Sequence, residues 1–271
     1  MEKNSASDRH IRGSVLDPDA LVDAMKGVDA AFHLAATTSP PEFENLRGDG
    51  FKVNVIGTYN VLTACSLNCV RRVVLASSSS VYGALGRQAR EDDATGQYGN
   101  FYPLSKLINE MTARTFLNYG VEAVPLRYFN TYGLGENTKG NYSSVIWKFV
   151  DDIANSRRPV IYGDGTQSRD FIYVEDAATA SILAMERGRA GEPYNVGTGV
   201  STSFNRIFKI IKEETGYRGS PVYVKNPLKS YQLFTQADIT KARNELGFEP
   251  KYDIRAGVRK MLENLKLKSQ Q

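Results

Sequence analysis

The stretch RRVVLASSSSVYG, residues 71–83, carries an apolar segment that runs directly into a row of four hydroxyls. A short, continuous apolar run is typical of a strand buried on both faces of a parallel sheet. In open α/β sheets, ligands bind outside the carboxyl ends of the strands, which is where these hydroxyls would lie. The stretch therefore predicts a strand over Arg72–Ser77 and a ligand site directly after it.

Short β-branched runs alternate with longer helical stretches on both sides of this strand. The predicted strands are Ala30–Ala35, Arg72–Ser77, Val121–Tyr128, Pro159–Tyr162 and Pro193–Gly197. The predicted helices are Asp19–Lys26, Phe51–Asn68, Tyr102–Tyr119, Ser143–Asn155, Glu175–Glu186, Ser203–Thr215, Ile239–Leu246 and Ile254–Leu265. Such alternation predicts an α/β fold with a doubly wound parallel sheet that is covered by helices on both faces.

The composition excludes several classes of function. The 271 residues carry a net charge of +4 without a basic stripe, so we expect no nucleic-acid partner and no anionic membrane partner. No run of about 18 apolar residues occurs, and the N-terminus is polar, which predicts a cytoplasmic protein. Only two cysteines and two histidines are present, and they form no cluster, so no metal site is predicted.

Tyr102 and Lys106 form the second part of the predicted site. They stand four residues apart at the start of a predicted helix, in the sequence YPLSK, so their side chains are neighbours on one face. A tyrosine phenol ordinarily titrates near about 10, and a neighbouring cation stabilises its ionised form. The pair therefore predicts a general base at Tyr102 that depends on Lys106.

The serines after the first strand are predicted to bind a reacting oxygen rather than to act as nucleophiles. No Gly-x-Ser-x-Gly turn is present, and His10 and His33 lie far upstream of the serines. A serine hydrolase of the common α/β type needs such a turn and a histidine that follows the serine in the chain. A plain serine-rich loop is the alternative interpretation, as is a core role for His33.

Six motifs occur in an order that resembles a known family. They are HLAA at 33–36, NVIGTYNV at 54–61, SSSVYG at 78–83, YPLSK at 102–106, RYFN at 127–130 and GDGTQSRDFIYV at 163–174. In this order they resemble the extended short-chain dehydrogenases/reductases, in particular the NAD-dependent nucleotide-sugar epimerases and dehydratases of the UDP-glucose 4-epimerase type. The resemblance extends over nearly the whole chain.

The resemblance implies a role for individual residues. The implied catalytic residues are Ser78, Tyr102 and Lys106. The implied contacts to the cofactor, NAD rather than NADP, come from Ala35, Ala36, Asn54, Ser77, Tyr102, Lys106 and Tyr128. The implied contacts to a nucleotide-sugar substrate come from Ser79, Asn130, Gln167 and Arg169. A local ion pair between Arg169 and Asp170 is the alternative to a diphosphate contact, which the planar guanidinium suits.

The resemblance also implies a Rossmann-like domain that binds NAD and a smaller α/β lobe that binds the substrate. We expect the domain at residues 1–132 with returning segments near 159–199, the lobe at 133–158 and 200–267, and a tail at 268–271. The family's glycine-rich turn receives the pyrophosphate at a helix N-terminus, and no glycine before residue 60 fits it. We therefore expect an N-terminally truncated domain with weak NAD binding and low stability.

The expected reaction is epimerisation of a nucleotide sugar through a transient keto-sugar, with UDP-glucose and UDP-galactose as the first expectation. Dehydratases of this kind carry Asp-Glu after the catalytic hydroxyl, whereas this chain has Ser79-Ser80. The stretches 132–140 and 231–238 resemble ADP-heptose 6-epimerases, which form the second alternative. A non-catalytic relative is the third. The predicted helices Phe51–Asn68 and Tyr102–Tyr119 resemble the helices that pair in the family's homodimers, so we expect a homodimer.

Overall fold

Four parallel strands form the largest sheet of the molecule. The computed structural model describes residues 10–38, 43, 48–93, 98, 100–227 and 231–268, so residues 1–9 of the predicted domain and 269–271 of the predicted tail lie outside the described part. The order of this sheet is β1-β2-β3-β7. Its strands are β1 (Ala30–His33), β2 (Arg72–Ser78), β3 (Glu122–Tyr128) and β7 (Tyr194–Val196).

The sequence of β2 shows why this sheet is covered on both faces. Alternate side chains of a strand point to opposite faces. Val73 and Leu75 pack on one face with helices α2 (Gly57–Leu67) and α3 (Phe101–Thr115), and Val74 packs on the other with helix α5 (Val174–Arg187). All three residues are fully buried, so the strand has no solvated face. The prediction of a doubly wound α/β fold is confirmed.

The remaining strands form two small sheets outside the large one. A three-stranded sheet has the order β4-β6-β8, and a two-stranded sheet pairs β5 with β9. Their strands are β4 (Asn130–Tyr132), β5 (Val160–Tyr162), β6 (Ser168–Tyr173), β8 (Ser201–Ser203) and β9 (Val222–Val224). Helices α4 (Val145–Ala154), α6 (Phe204–Thr215) and α7 (Ile254–Lys268) pack with them around one apolar cluster.

Each predicted helix is present to within a few residues. Helix α1 covers Pro18–Ala24, and π-helical turns at Lys52–Ile56 and Ala242–Leu246 occupy parts of two other predicted helices. Short 3₁₀ turns lie at Ser79–Tyr82, Phe116–Tyr119 and Glu136–Tyr142. Strands β4, β6, β8 and β9 were not predicted. Three of them have only three residues, which is too short for a period of two to show in the sequence.

The predicted placement of Pro159–Tyr162 needs a correction. The sequence placed this strand among the segments that return to the large sheet, but the structure pairs it with β9. Val160 and Tyr162 are exposed, and only Ile161 is buried, in the cluster that α4 and α6 share. A strand with one buried face does not fit a sheet covered on both faces. The return to the large sheet is therefore made by α5 and β7.

His33 ends strand β1 and fastens it to α2. Its side chain is buried, and its Nε2 atom lies 3.0 Å from the Thr58 hydroxyl, which in turn donates to the carbonyl of Asn54. Burial first, and then the positive charge of Lys106, together lower the pKa of His33 to about 4. The neutral imidazole is thus part of the packing, as in the core alternative stated above.

We predict that His33 makes the protein acid-sensitive. The pKa of His33 is near 6.5 in the unfolded state and lower in the folded state. The stability that depends on neutral His33 is therefore fully present above pH 6.5 and is lost as the pH falls towards 4. The difference corresponds to about 3 kcal/mol. Urea unfolding at pH 7 and pH 4.5 should show a larger loss of unfolding free energy for the wild type than for His33→Gln. An equal loss in both proteins would contradict the prediction.

Candidate active site

Helix α3 begins at the position that places Tyr102 in its first turn. The Asn100 side chain caps the helix by accepting a hydrogen bond from the backbone N–H of Tyr102, at 3.0 Å. Pro103 follows within the first turn, where its missing N–H costs no helical hydrogen bond. The Tyr102 side chain is 6% exposed, and its ring meets Phe43 edge-on at a centroid distance of 6.1 Å.

Lys106 lies one turn further along α3, against the end of β2. Its ammonium donates to the carbonyl of Ala76 at 2.9 Å and lies 6.0 Å from the centroid of the Tyr102 ring. Burial lowers the pKa of Lys106 to about 8, because a desolvated ammonium is disfavoured. At neutral pH the side chain therefore remains charged and lies on the same side of the helix as the phenol. Such a cation stabilises a phenolate.

The serine turn follows β2 at once. Ser78 ends the strand, and its hydroxyl oxygen accepts the N–H of Ser80 at 3.1 Å, which starts the 3₁₀ turn Ser79–Tyr82. That contact leaves the hydroxyl hydrogen of Ser78 free to be donated. The Ser80 hydroxyl oxygen is buried and has no hydrogen-bond partner among the residues that the structure describes. A buried polar atom of this kind suits a bound polar ligand.

Ser77 points away from the serine turn. Its side chain is buried and donates to the carboxylate of Glu110, which also forms a two-pronged ion pair with Arg127, at 2.8 and 3.0 Å. Ser77 shares the parity of Val73 and Leu75, so it lies on the face that α3 covers. The predicted cofactor contact therefore cannot involve its hydroxyl. Only the backbone of Ser77 is left for that role.

Asn54 links the segment after β1 to helix α3. Its Oδ1 accepts the N–H of Thr37 at 2.8 Å, and its Nδ2 donates to the Thr37 carbonyl and to the Ser105 hydroxyl, at 3.2 and 3.1 Å. Ser105 in turn donates to the carbonyl of Tyr102 at 2.7 Å. Both amide hydrogens of Asn54 are therefore used within the protein. It holds the segment containing Ala35 and Ala36, which are exposed and half-buried, next to the Tyr102 helix.

The structure adds one residue to the predicted site and limits the role of another. Ser105 was missed by the sequence analysis, although it lies inside the Tyr102–Lys106 motif, because its partner Asn54 is distant in the chain. Tyr128 directs its phenol to the Ser181 hydroxyl, at 2.7 Å, and burial raises the pKa of this phenol. Only the backbone of Tyr128 is thus available to a cofactor, as the family resemblance implies.

Arg169 is a buried cation on strand β6. Its side chain is packed between the rings of Phe204 and Tyr231, at 5.9 and 5.2 Å from their centroids, and it donates to the Ser168 carbonyl. No carboxylate in the described part of the chain lies within salt-bridge distance of it. The alternative ion pair with Asp170 is wrong, because that carboxylate accepts from Thr198, Gly199 and Ala237 instead.

The other two predicted substrate residues are held by neighbouring protein groups. Asn130 donates to the Asp170 carbonyl and the Thr235 hydroxyl, at 3.2 and 3.3 Å. Gln167 donates to the Tyr162 carbonyl at 2.6 Å and to the Tyr231 hydroxyl at 3.3 Å. Gln167 and Arg169 thus share Tyr231 as a neighbour. The structure brings these two together, whereas Asn130 contacts the segment around Thr235.

A cleft of about 660 Å³ opens beside Arg169. Phe204 and Tyr231, which enclose the guanidinium, also line the cleft. The wall includes Trp147, Lys148 and Tyr162 as well. Aromatic faces with a few charged groups are typical of sites that bind a nucleotide. None of these three wall residues was predicted, because helix α4 and strand β5, which carry them, are brought together only by the fold.

Two further properties of the described residues bear on the class of site. No group of three or more His, Cys, Asp or Glu side chains in this part of the chain is arranged to hold a metal ion. Within the same residues, no helix has the length and apolar character needed to cross a membrane.

Comparison with known proteins relates this geometry to characterised relatives. The chain is 35% identical over 244 residues to a protein of Methanocaldococcus jannaschii named "Putative UDP-glucose 4-epimerase", covering 89% of this chain and 78% of the relative. It is 33% identical over 252 residues to an ADP-L-glycero-D-manno-heptose-6-epimerase of Brachyspira hyodysenteriae, covering 88% and 76%.

The fold shows the same relationship. A UDP-N-acetylglucosamine 4-epimerase from Methanobrevibacter ruminantium M1, solved in complex with UDP-N-acetylmuramic acid, superposes with a TM-score of 0.88 at 32% identity. The match covers 96% of this chain and 83% of that one. The profile of the NAD dependent epimerase/dehydratase family matches residues 1–197. With the tyrosine–lysine helix, the serine turn and these similarities together, the chain belongs to the NAD dependent epimerase/dehydratase family.

Proposed function

We propose that this protein inverts a hydroxyl-bearing carbon of a UDP-hexose, as a 4-epimerase of the UDP-glucose and UDP-galactose type. The observation that carries the proposal is the buried ammonium of Lys106, held at the carboxyl end of β2 beside the serine turn and on the same side of α3 as Tyr102. A charged lysine in that place stabilises the ionised form of a neighbouring phenol, which then acts as a base.

Three side chains perform the proton chemistry in this proposal. Tyr102 removes the proton from the sugar hydroxyl and later returns it. Lys106 stabilises the phenolate through its charge. Ser78 donates a hydrogen bond to the same sugar oxygen, using the hydroxyl hydrogen that its contact with the Ser80 N–H leaves free. Bound NAD would supply the hydride acceptor and donor for the sugar carbon.

The residues around Lys106 suit the nicotinamide end of NAD. The ammonium has the Ala76 carbonyl as a partner, and further N–H bonds remain to be donated to a ribose. Asn54 holds the segment of Ala35 and Ala36 beside the same helix. These groups lie at the carboxyl ends of β1 and β2, the edge at which open α/β sheets bind their ligands.

The nucleotide of the substrate is assigned to the cleft beside Arg169. The guanidinium has no carboxylate partner among the described residues, so a diphosphate would satisfy a charge that burial leaves costly. Further proposed contacts to the nucleotide sugar come from Asn130, Gln167 and Ser79. Anchoring the nucleotide while the sugar is free to turn is the geometry that epimerisation needs.

The serine turn favours an epimerase over a dehydratase, since Ser79 and Ser80 stand where an acid and a base for water elimination would be needed. The ADP-heptose alternative has support from the relative described above. The UDP-hexose and ADP-heptose substrates differ in the base of the nucleotide. A comparison of UDP with ADP as ligands therefore separates them, and turnover of any nucleotide sugar excludes a non-catalytic relative.

We also propose that two copies of the chain associate through helices α2 and α3. Large apolar side chains on these helices and the 3₁₀ turn after α3 are exposed by half or more: Tyr59, Leu67, Met111 and Tyr119. They border a groove of about 580 Å³ between the two helices. An exposed apolar face of this kind marks an interaction surface. A second copy would cover it symmetrically.

We predict that Tyr102→Phe and Lys106→Met each lower kcat for conversion of UDP-glucose to UDP-galactose by about 10²–10⁴-fold, the usual contribution of a general base. Calorimetry should show UDP binding unchanged in both, because neither side chain lies in the cleft beside Arg169. The wild-type rate should decline as the pH rises through about 8, where Lys106 loses its charge. Calorimetry with NAD on the same proteins tests the expectation of weak cofactor binding.

We predict that Arg169→Met weakens UDP binding by at least about tenfold, since a charge-assisted hydrogen bond is lost together with the cation. Arg157→Met is the matched control, because Arg157 lines the same cleft but is paired with Asp151 and Asp152. Binding of ADP but not UDP by the wild type would favour the ADP-heptose alternative. If the Arg169→Met and Arg157→Met variants bind UDP equally well, Arg169 is not part of the binding site.

We predict that Met111→Glu converts a dimer to a monomer in sedimentation equilibrium, because a charge in the centre of an apolar interface is costly. Ile182→Glu is the control: Ile182 is similarly exposed, but it lies on α5, away from the groove. A wild type that sediments as a monomer, or a dimer that survives Met111→Glu, would contradict this interface.

A further inference from the structure

Residues 231–238 form an extended segment, here named the strap, that connects strand β6 with the end of the serine turn. Gln232 donates through its side chain to the carbonyl of Gly83, which directly follows the serine turn, at 2.8 Å. The strap backbone bonds to Ser168 through the Leu233 carbonyl and the Thr235 N–H, at 2.9 and 3.2 Å. Further along, it bonds to Ala89 in both directions, at 2.8 Å. The strap therefore spans both parts of the proposed site.

Asp170 is the group on which the strap converges. Its side chain is fully buried, and its carboxylate accepts four hydrogen bonds. The donors are Ala237 N–H of the strap at 3.0 Å, Gly199 N–H at 2.9 Å, and the N–H and hydroxyl of Thr198 at 2.8 and 2.7 Å. No cation of the described residues pairs with it. A buried carboxylate without a cation persists only when such donors surround it.

The neighbouring contacts extend this fastening. The backbone N–H of Asp170 donates to the Thr235 hydroxyl of the strap, at 3.2 Å. Gln236 of the strap donates through its side chain to the Gly199 carbonyl, at 2.8 Å. Strand β6, the turn at Gly199 and the strap are thus joined around a single carboxylate.

The strap begins at Tyr231, which covers the proposed diphosphate site. Its ring lies 5.2 Å from the Arg169 guanidinium, and its hydroxyl accepts from Gln167 at 3.3 Å. Tyr231 also lines the cleft. Its position therefore follows from where the rest of the strap is held, because these two contacts are long and weak compared with the hydrogen bonds to Asp170.

We propose that Asp170 is a positioning residue: by fastening the strap it places Tyr231 over Arg169, and so it sets the affinity for a nucleoside diphosphate that it does not touch. The inference rests on the proposed function for its ligand and on the contacts above for its mechanism. Asp170 and Arg169 are adjacent in sequence but point to opposite sides of β6, so one strand presents both the anion-binding cation and the group that shapes its cover.

Asparagine cannot replace the carboxylate here. Both oxygens of Asp170 accept hydrogen bonds from N–H or O–H donors. An amide offers one acceptor oxygen, so its NH₂ group would face at least one donor. Thr198 donates both of its bonds to Oδ1, whereas Gly199 and Ala237 of the strap both donate to Oδ2. In Asp170→Asn, an NH₂ group in the place of Oδ2 would oppose the Gly199 and Ala237 N–H groups together, and one in the place of Oδ1 would leave them a neutral and weaker acceptor. Either arrangement should loosen the strap while the side chain keeps its size.

The test is a double-mutant cycle on UDP binding, followed by calorimetry and by quenching of Trp147, the only tryptophan of the chain, which lines the cleft. Asp170→Asn and Tyr231→Ala should each weaken UDP binding by about tenfold, which is the order of a cation–π contact and its desolvation. The double variant should bind no more weakly than the weaker single variant, since both remove the same placement of one ring. Thr198→Val is the control, because it removes a donor to Asp170 on the side away from the strap.

Deuterium uptake of residues 231–238 in the unliganded protein tests the fastening independently of any ligand. We expect uptake to rise in Asp170→Asn and to stay at the wild-type level in Thr198→Val. Gln236→Ala loosens the strap from the same turn with less disturbance, so it should show the same direction of change if Asp170→Asn does not fold.

If the loss of UDP affinity in the double variant equals the product of the two single losses, Asp170 and Tyr231 act independently. That result would overturn the proposal, since Asp170 would then act on stability and not through Tyr231. Unchanged uptake of the strap in both Asp170→Asn and Gln236→Ala would overturn the fastening. A wild type that binds no UDP, with raised uptake in the variants, would refute the proposed function and the ligand part of the inference while supporting the fastening.

Discussion

The ion pair between Glu110 and Arg127 holds helix α3 against the large sheet, and the position of the proposed catalytic pair depends on it. Both side chains are buried, at 8% and 5% exposure, and their two-pronged contact joins the helix to β3. Ser77 adds a bond from β2 to the same carboxylate, and the Tyr82 hydroxyl accepts from Arg127. Removing one partner of a buried pair leaves an uncompensated charge, which costs several kcal/mol. Because Lys106 lies one turn before Glu110, this pair fixes where its ammonium reaches β2.

Buried cations separate into two kinds in this molecule. Arg127 is neutralised by Glu110, so its role is to join elements. Lys106 and Arg169 are equally well buried, but neither has a carboxylate within salt-bridge distance among the described residues; each donates to a backbone carbonyl instead. Desolvating a cation without an anion is costly unless a ligand or a reaction uses the charge. The two unpaired cations mark the two ends of the proposed substrate, the reacting sugar and the diphosphate.

A buried polar side chain joins separate segments of the chain at each of these two ends. Asn54 joins the segment after β1 to the Tyr102 helix, and Asp170 joins β6 to the strap. The contacts described above use four acceptor positions of the Asp170 carboxylate and both amide hydrogens of Asn54. Each bridges segments that are 17 to 67 residues apart in the chain, and so fixes the backbone that carries the proposed ligand-binding groups.

The sequence by itself determined the parts whose physics is local. The apolar run of β2 with its serines, the i, i+4 placement of Tyr102 and Lys106, and the helices are encoded within about ten residues each, and the structure has them where they were predicted. The tertiary structure decided the direction of Ser77 towards Glu110, 33 residues away, the pairing of β5 with β9, and the donors that surround Asp170. A three-residue strand carries too short a pattern to reveal its partner, and a buried polar side chain is satisfied by whichever distant segment the fold brings to it.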